Sequence, residues 1–241
     1  VDSTLLYLIS AIASQSSKST KDMMQQTLQL LDYLATQEGA VLSYHASNTV
    51  LAVHSASYLS EPKARSRARG HFSLSNDTTI PPNNGAVLII VHIIKNIMSS
   101  ATKAELARLY IMVREAVYIR IILEEMGHEQ PPTPLQTDNA MADAVCNGKV
   151  QPKRTKAMDM RFHWLRDRES QGQLRIFWKP GKTNLADYFT KHHCAAHHIE
   201  TRKDILTPKF ILDALRASSN RTPATSGKGL MKANTVATPA A

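Results

Sequence analysis

Three acids stand at comparable places in the chain. Glu105 lies in "SSATKAELARL", Asp138 in "PLQTDNAMA" and Asp187 in "TNLADYFT". Each sits at or near the start of a segment with helical patterning. In an α/β fold, strand ends and helix starts share faces, so acids at such junctions can converge. Converged carboxylates are hard oxygen ligands that suit magnesium. Two such ions about 3.5–4 Å apart clamp the attacking and leaving oxygens of a phosphodiester. Each acid also has a plain structural reading. Asp138 can be a helix N-cap. Glu105 can close a capping box with Thr102, and Asp187 can sit three positions after an Asn184 cap. Helix dipoles favour acids at these places in any case. Glu105 is the least ordinary of the three, because it heads an apolar stripe through Leu109, Met112, Ala116, Ile119 and Leu123.

Other side chains carry weaker signals. "KHHCAAHH", residues 191 to 198, supplies His192, His193, Cys194, His197 and His198. That spacing could bind zinc or copper, but further cysteine ligands are lacking, and a surface helix end is the plainer reading. His163, between Phe162 and Trp164, could assist a site; a helix histidine in such company is more often half-buried packing. Asp159 can pair with Arg161 or Arg166. Lys63, Arg65, Arg67 and Arg69 form a basic loop that could track phosphates, and Lys153, Arg154 and Lys156 form a second cluster. Solvated loops are the alternative for both. No P-loop, GxGxxG, nucleophile elbow or HExxH pattern is present.

The elements that would position these residues can be read from periodicity. Residues 3 to 37 are helical, with Thr20 capping a helix whose stripe is Met23, Met24, Thr27, Leu30, Leu31 and Leu34. "AVLSYHASNTVLAVHS" reads as two strands joined at Ala46-Ser47-Asn48, and "EPKARSRARG" as a turn or loop. "HFSLS" is a short alternating strand. "AVLIIVHIIKNIM" is β-branched and apolar on both faces, as in the middle of a covered sheet. Ser99 to Met126 is the clearest helix, ended by Gly127. A strand "PPTPLQT", a helix ending at Gly148, a helix closed by Gly172, a strand "QLRIFWKP" and a last short helix "TNLADYFTKHH" follow. Beyond about Thr207 the chain is rich in Ser, Thr, Ala, Gly and Lys without periodicity, which predicts disorder. This order predicts a mixed sheet flanked by helices.

Composition sets outer bounds. The 241 residues are 43% apolar and 20% charged, enough for one sizeable domain with appendages. The net charge of +9 favours polyanions such as nucleic acid or an anionic membrane. Two cysteines give neither a disulfide framework nor a four-ligand zinc pattern, so a reducing intracellular compartment, cytoplasmic or nuclear, is expected. The longest apolar run, Ala86 to Met98, is broken by His92, Lys95 and Asn96 and falls short of the roughly 20 residues of a membrane span. No basic leader precedes "LLYLISAIASQ", so no signal peptide is read there. A start on Val1 fits a fragment of something longer.

The blocks "SSATKAELARL", "QTDNAMA", "AMDMRFHWLRDR" and "WKPGKTNLADYFTKHH" together resemble the ribonuclease H domain at the C-terminal end of copia-type retrotransposon polyproteins. "LLDYLATQEGAVLSYHAS" resembles the end of the preceding reverse transcriptase and its join to that domain. The resemblance runs in order over roughly residues 5 to 206. It implies an α/β, ribonuclease H-like mixed five-stranded sheet flanked by helices, with a helical N-terminal segment. It implies three parts: 1–38 as a remnant of the reverse transcriptase, 39–206 as the ribonuclease H-like domain and 207–241 as a tail. The implied activity is hydrolysis of the RNA strand of RNA/DNA hybrids by two Mg2+ or Mn2+ ions held by four carboxylates. Glu105, Asp138 and Asp187 match three of them.

The fourth belongs on the first strand, in a pattern like "HSDASY". Here the chain reads His54-Ser55-Ala56-Ser57-Tyr58. The aspartate is deleted rather than replaced, since both flanks match. A deletion shifts strand register by one unless a bulge absorbs it. Lys103 stands where the family often has a second acid, and a cation there opposes metal binding. The resemblance therefore implies a degenerate ribonuclease H. The alternatives are a non-catalytic nucleic-acid-binding module and an inactive structural remnant. A hybrid would be read through shape, 2′-OH and backbone. A reverse transcriptase domain is the implied partner within a polyprotein, and no membrane partner is expected.

Overall fold

The computed structural model describes residues 2–37, 40–61, 65–76, 79–94, 101–150, 160–181, 184–189 and 192–208. The chain opens with helices α1 (Leu6–Ser14) and α2 (Lys21–Thr36). Thr20 caps α2 as its sequence predicts: its Oγ1 accepts the Met23 N–H at 3.3 Å. The apolar stripe of α2 is only partly covered. Met23 is buried, whereas Met24, Leu28, Leu31 and Leu34 are exposed.

A two-residue strand, β1 (Ala40–Val41), pairs antiparallel with β7 (Thr207–Pro208). The main sheet has five strands: β2 (Val50–Glu61), β3 (Arg65–Ser75), β4 (Ala86–Ile93), β5 (Thr133–Thr137) and β6 (Leu174–Trp178). Their spatial order is β4-β3-β2-β5-β6. β2, β3 and β4 form an antiparallel meander, and β5 and β6 add in parallel. The parallel steps need crossovers, which are helical here. They are α3 (Ala101–Glu125), then α4 (Ala140–Cys146) and α5 (Met160–Ser170). After β6 come α6 (Leu185–Tyr188) and α7 (Ala195–Ile205). This is the ribonuclease H-like mixed sheet that the resemblance implies.

One face of the sheet packs on α3, α4 and α5. Leu51, Val53, Phe72 and Leu135 from the strands meet Leu109, Met112, Val145, Phe162 and Leu165 from the helices. Leu109, Met112 and Ala116 of the predicted stripe are fully buried. Gly70 permits this closeness, because a Cβ there would overlap Met112 Sδ. Glycines 127, 148 and 172 follow α3, α4 and α5 with φ of +87°, +69° and +69°, as helix-stopping glycines do. The other face carries a smaller apolar cluster of Tyr188, Phe189, Ile205 and Leu206, packed against Leu42, Ile89 and Val91.

Four sequence expectations change. "RSRARG" is not a loop but the first half of β3, an 11-residue strand that continues through "HFSLS". "AVLIIVHI" is not central but an edge strand; apart from buried Ala86 its residues are half-buried or exposed, and Ile89 and Val91 pack on the smaller apolar cluster. α7 was not predicted as a separate helix. His163 is exposed rather than half-buried, with its ring 5.3 Å from that of Phe162. The predicted tail lies outside the described residues from 209 onward. No helix among the described residues is long and apolar enough to cross a membrane. Both cysteines are free, Cys146 buried and Cys194 exposed.

The N-terminal helices are fastened to the last helix. Arg202 of α7 and Asp2 form an ion pair at 2.9 Å, with side chains only 7% and 6% exposed. Tyr33 of α2 and Tyr188 of α6 both bond to the His198 ring, Tyr33 at 2.6 Å to Nε2.

Candidate functional site

β5 ends at Thr137, and Asp138 is the next residue. It is not the cap of α4. That role falls to Asn139, whose Oδ1 accepts the Ala142 N–H at 2.9 Å. Asp138 is thereby left to face outward from the strand end. Asp187 has a similar arrangement. Asn184 caps α6 by accepting the Ala186 N–H at 3.0 Å, and Asp187 is the third residue after it. Asn184 also donates through Nδ2 to Ser55 O at 2.8 Å, which ties α6 to β2. Asp138 and Asp187 consequently line one open cleft of about 1210 Å3, together with His54, Gln136 and Lys179.

Glu105 does not line that cleft. It lies one turn into α3 and is ion-paired with Arg108, three residues on. Arg108 is 0% exposed. Its Nη2 donates to Thr137 Oγ1 at 3.0 Å, and its Nη1 reaches Asp138 Oδ1 at 3.4 Å. One buried guanidinium thus stands between the acid of α3 and the acid after β5. Arginine stays charged in any such setting, and its planar fork can serve several acceptors at once.

Among the described side chains of β2 there is no carboxylate. Ser55 is fully buried, and its Oγ has no hydrogen-bond partner among the described residues. Pairing with β3 runs unbroken from Val50↔Ser75 to Tyr58↔Arg67, and the register slips only between Tyr58 and Glu61. That irregularity begins three residues beyond Ser55. His54 faces the other side of the strand, against His71 of β3, with ring centroids 5.9 Å apart. Burial, and secondarily the charge of Lys179, push the His54 imidazole down to about 4, against a hydrogen bond with Gln136. Burial beside His54 pushes His71 down to about 3. At neutral pH both are uncharged, so His54 brings no cation to the cleft.

Divalent ions do not fit these residues as they stand. Among the described residues, no group of three or more His, Cys, Asp or Glu side chains is placed to hold a metal ion. Glu105 and Asp138 already spend oxygens on Arg108. The histidine-rich run is likewise committed elsewhere: His198 bonds two tyrosines, and His193 Nε2 lies 2.8 Å from Tyr188 O.

The basic residues divide. Arg67 and Arg69 are fully buried on β3, not displayed on a loop. The Tyr7 ring of α1 covers both, 5.2 and 5.1 Å from their guanidinium carbons. Arg65 lies in β3, and nothing is described of its side chain. Lys63, Lys153, Arg154, Lys156 and Asp159 lie outside the described residues. Sequence reasoning missed Arg108, Lys179 and Gln136. Only Arg108 left a usable signal, the i, i+3 spacing from Glu105 that pairs opposite charges on a helix.

A 97-residue stretch of the chain is 27% identical to the Retrovirus-related Pol polyprotein from transposon TNT 1-94 of Nicotiana tabacum. The chain is similar to a retrotransposon Pol polyprotein. The match takes in 40% of this chain and 7% of that polyprotein, so the chain spans only a small part of its relative's length. No family model matches. In this Pol-like chain, the sheet, the two cleft acids and Arg108 are the features from which a function has to be argued.

Proposed function

We propose that the chain is a ribonuclease H-like domain of retrotransposon Pol descent that engages RNA/DNA hybrid and in which hydrolysis of the RNA strand is impaired. One observation carries this reading: Arg108 lies between Glu105 and Asp138, at the place where the sheet brings α3 and the end of β5 together. The absence of a carboxylate at Ser55 points the same way. Asp138, Asp187 and Lys179 remain on an open cleft of about 1210 Å3. The overall charge of +9 supports binding to a polyanion.

The test is a labelled RNA/DNA hybrid, with Mg2+ and then Mn2+, beside a Glu105→Ala and Asp138→Ala double mutant. Binding that weakens steeply with salt, without metal-dependent cleavage, is expected. Cleavage that disappears in the double mutant would reverse the reading, because three carboxylates would then suffice. A second reading is a Pol-derived remnant without nucleic-acid binding. The burial of Arg67 and Arg69 favours it, since two of the expected phosphate contacts are withdrawn from solvent. Lack of hybrid binding even at low salt would select it.

A further inference from the structure

We propose that the Arg108 guanidinium is the resident cation of this site: it holds Glu105 and Asp138 together in the way a divalent ion would, and so excludes one. The inference rests on the reading of the site given above. It begins with burial. A guanidinium with no solvent contact must find its partners inside the protein, because an isolated buried charge is strongly unfavourable. The partners it finds are the two acids and the hydroxyl of Thr137, which precedes Asp138. They come from two elements, α3 and the β5 end, that are brought together only by the fold. A cross-link between these elements is a structural task that a bound ion could equally perform.

The exclusion follows from geometry and charge. Magnesium demands oxygen ligands at about 2.0–2.1 Å in near-octahedral arrangement. One oxygen of each carboxylate is turned onto the Arg108 guanidinium, Glu105 Oε2 towards Nη2 and Asp138 Oδ1 towards Nη1. An entering divalent ion would meet a fixed positive charge within a few ångströms, in surroundings that screen poorly. Lys179 adds a second cation to the cleft wall. The chain thus replaces an exchangeable cation with a covalent one, and the carboxylates stay in place without any metal in solution.

The prediction concerns metal binding in the absence of nucleic acid. The full chain, freed of metal with a chelator that is then removed, is titrated with Mn2+ and followed by calorimetry and thermal melting. The wild type is expected to show no Mn2+-dependent rise in Tm up to millimolar concentration. Arg108→Ala is expected to melt lower without metal, and its Tm is expected to climb with Mn2+ as mass action requires. Adding Asp138→Asn to Arg108→Ala should abolish the climb while restoring part of the lost stability. Arg108→Gln, which keeps a donor for Thr137, should behave like the alanine variant and covers the case in which alanine leaves too large a void.

Two results would overturn the proposal. One is Mn2+ binding by the wild type that disappears in Glu105→Gln. The other is an absence of Mn2+ response in both Arg108 variants, whether they melt cooperatively or fail to fold even with millimolar Mn2+. Hybrid binding is measured separately, so a failure of the nucleic-acid reading leaves these outcomes legible.

Discussion

Arg108 changes what repair of the missing carboxylate can achieve. An aspartate inserted between Ser55 and Ala56 would put a carboxylate on β2 where the resemblance implies one, and the irregular pairing between Tyr58 and Glu61 offers a nearby place to absorb the extra residue. The inserted carboxylate would still face two acids already neutralised by a guanidinium. The insertion alone is therefore expected to give no Mg2+-dependent cleavage of hybrid. Insertion combined with Arg108→Ala is expected to raise cleavage on the order of tenfold or more above the single variants. Cleavage by the insertion alone would show Arg108 to be no obstacle. The resemblance singles out all three acids block by block, and the fold brings two of them, Asp138 and Asp187, to one cleft while Glu105 lies apart from it. Of Arg108 the sequence shows only the i, i+3 spacing from Glu105, because its contact with Asp138 exists only in the fold.

At the scale of elements, β2 and β3 hold a neutral histidine pair whose burial disfavours the protonated form. His54 and His71 have folded values of about 4 and about 3, both below the ordinary 6.5. As pH falls below 6.5, the unfolded chain takes up protons that the folded chain refuses. Stability is therefore complete above about pH 6.5 and is lost progressively down to about pH 4 and below. For His54 alone the loss is on the order of 3 kcal/mol. Urea unfolding between pH 7.5 and 4.5 should show this slope, and His54→Asn with His71→Asn should flatten it. An unchanged slope in that double variant would place the acid sensitivity elsewhere. The same strands show where periodicity misleads. Arg67 and Arg69 alternate with small residues, as solvent-facing positions of a strand or loop do, yet Tyr7 from α1 covers them. A cover supplied from some sixty residues away leaves no trace in local pattern. β4 misled in the opposite sense: its β-branched, apolar run reads as central, yet it stands at the edge with most residues only half-buried. Helix ends were easier, because a glycine with positive φ is a local requirement that the residue type itself announces.

At the scale of the whole molecule, α1 and α2 are held by charge and aromatic hydroxyls rather than by a large apolar interface. Four large apolar side chains of α2 remain exposed, while Asp2 and Arg202 are almost fully covered. Removing one partner of a covered pair leaves the other charge uncompensated, at a cost of roughly 3–5 kcal/mol. Asp2→Asn is accordingly expected to lower stability by about that amount in urea unfolding. A loss under about 1 kcal/mol would mean that the pair behaves as an exposed one and does not fasten the N-terminal helices.

The short β1–β7 ladder has a mechanical consequence. Ala40 lies opposite Pro208 and Val41 opposite Thr207, so the chain enters and leaves the sheet domain side by side. Because the two strands run antiparallel, tension on the segments flanking residues 40 and 208 pulls them apart from the same end. Such a load opens the ladder like a zip, one residue pair after another, rather than shearing it all at once. The five-stranded sheet would feel the tension only after this two-pair latch had given way.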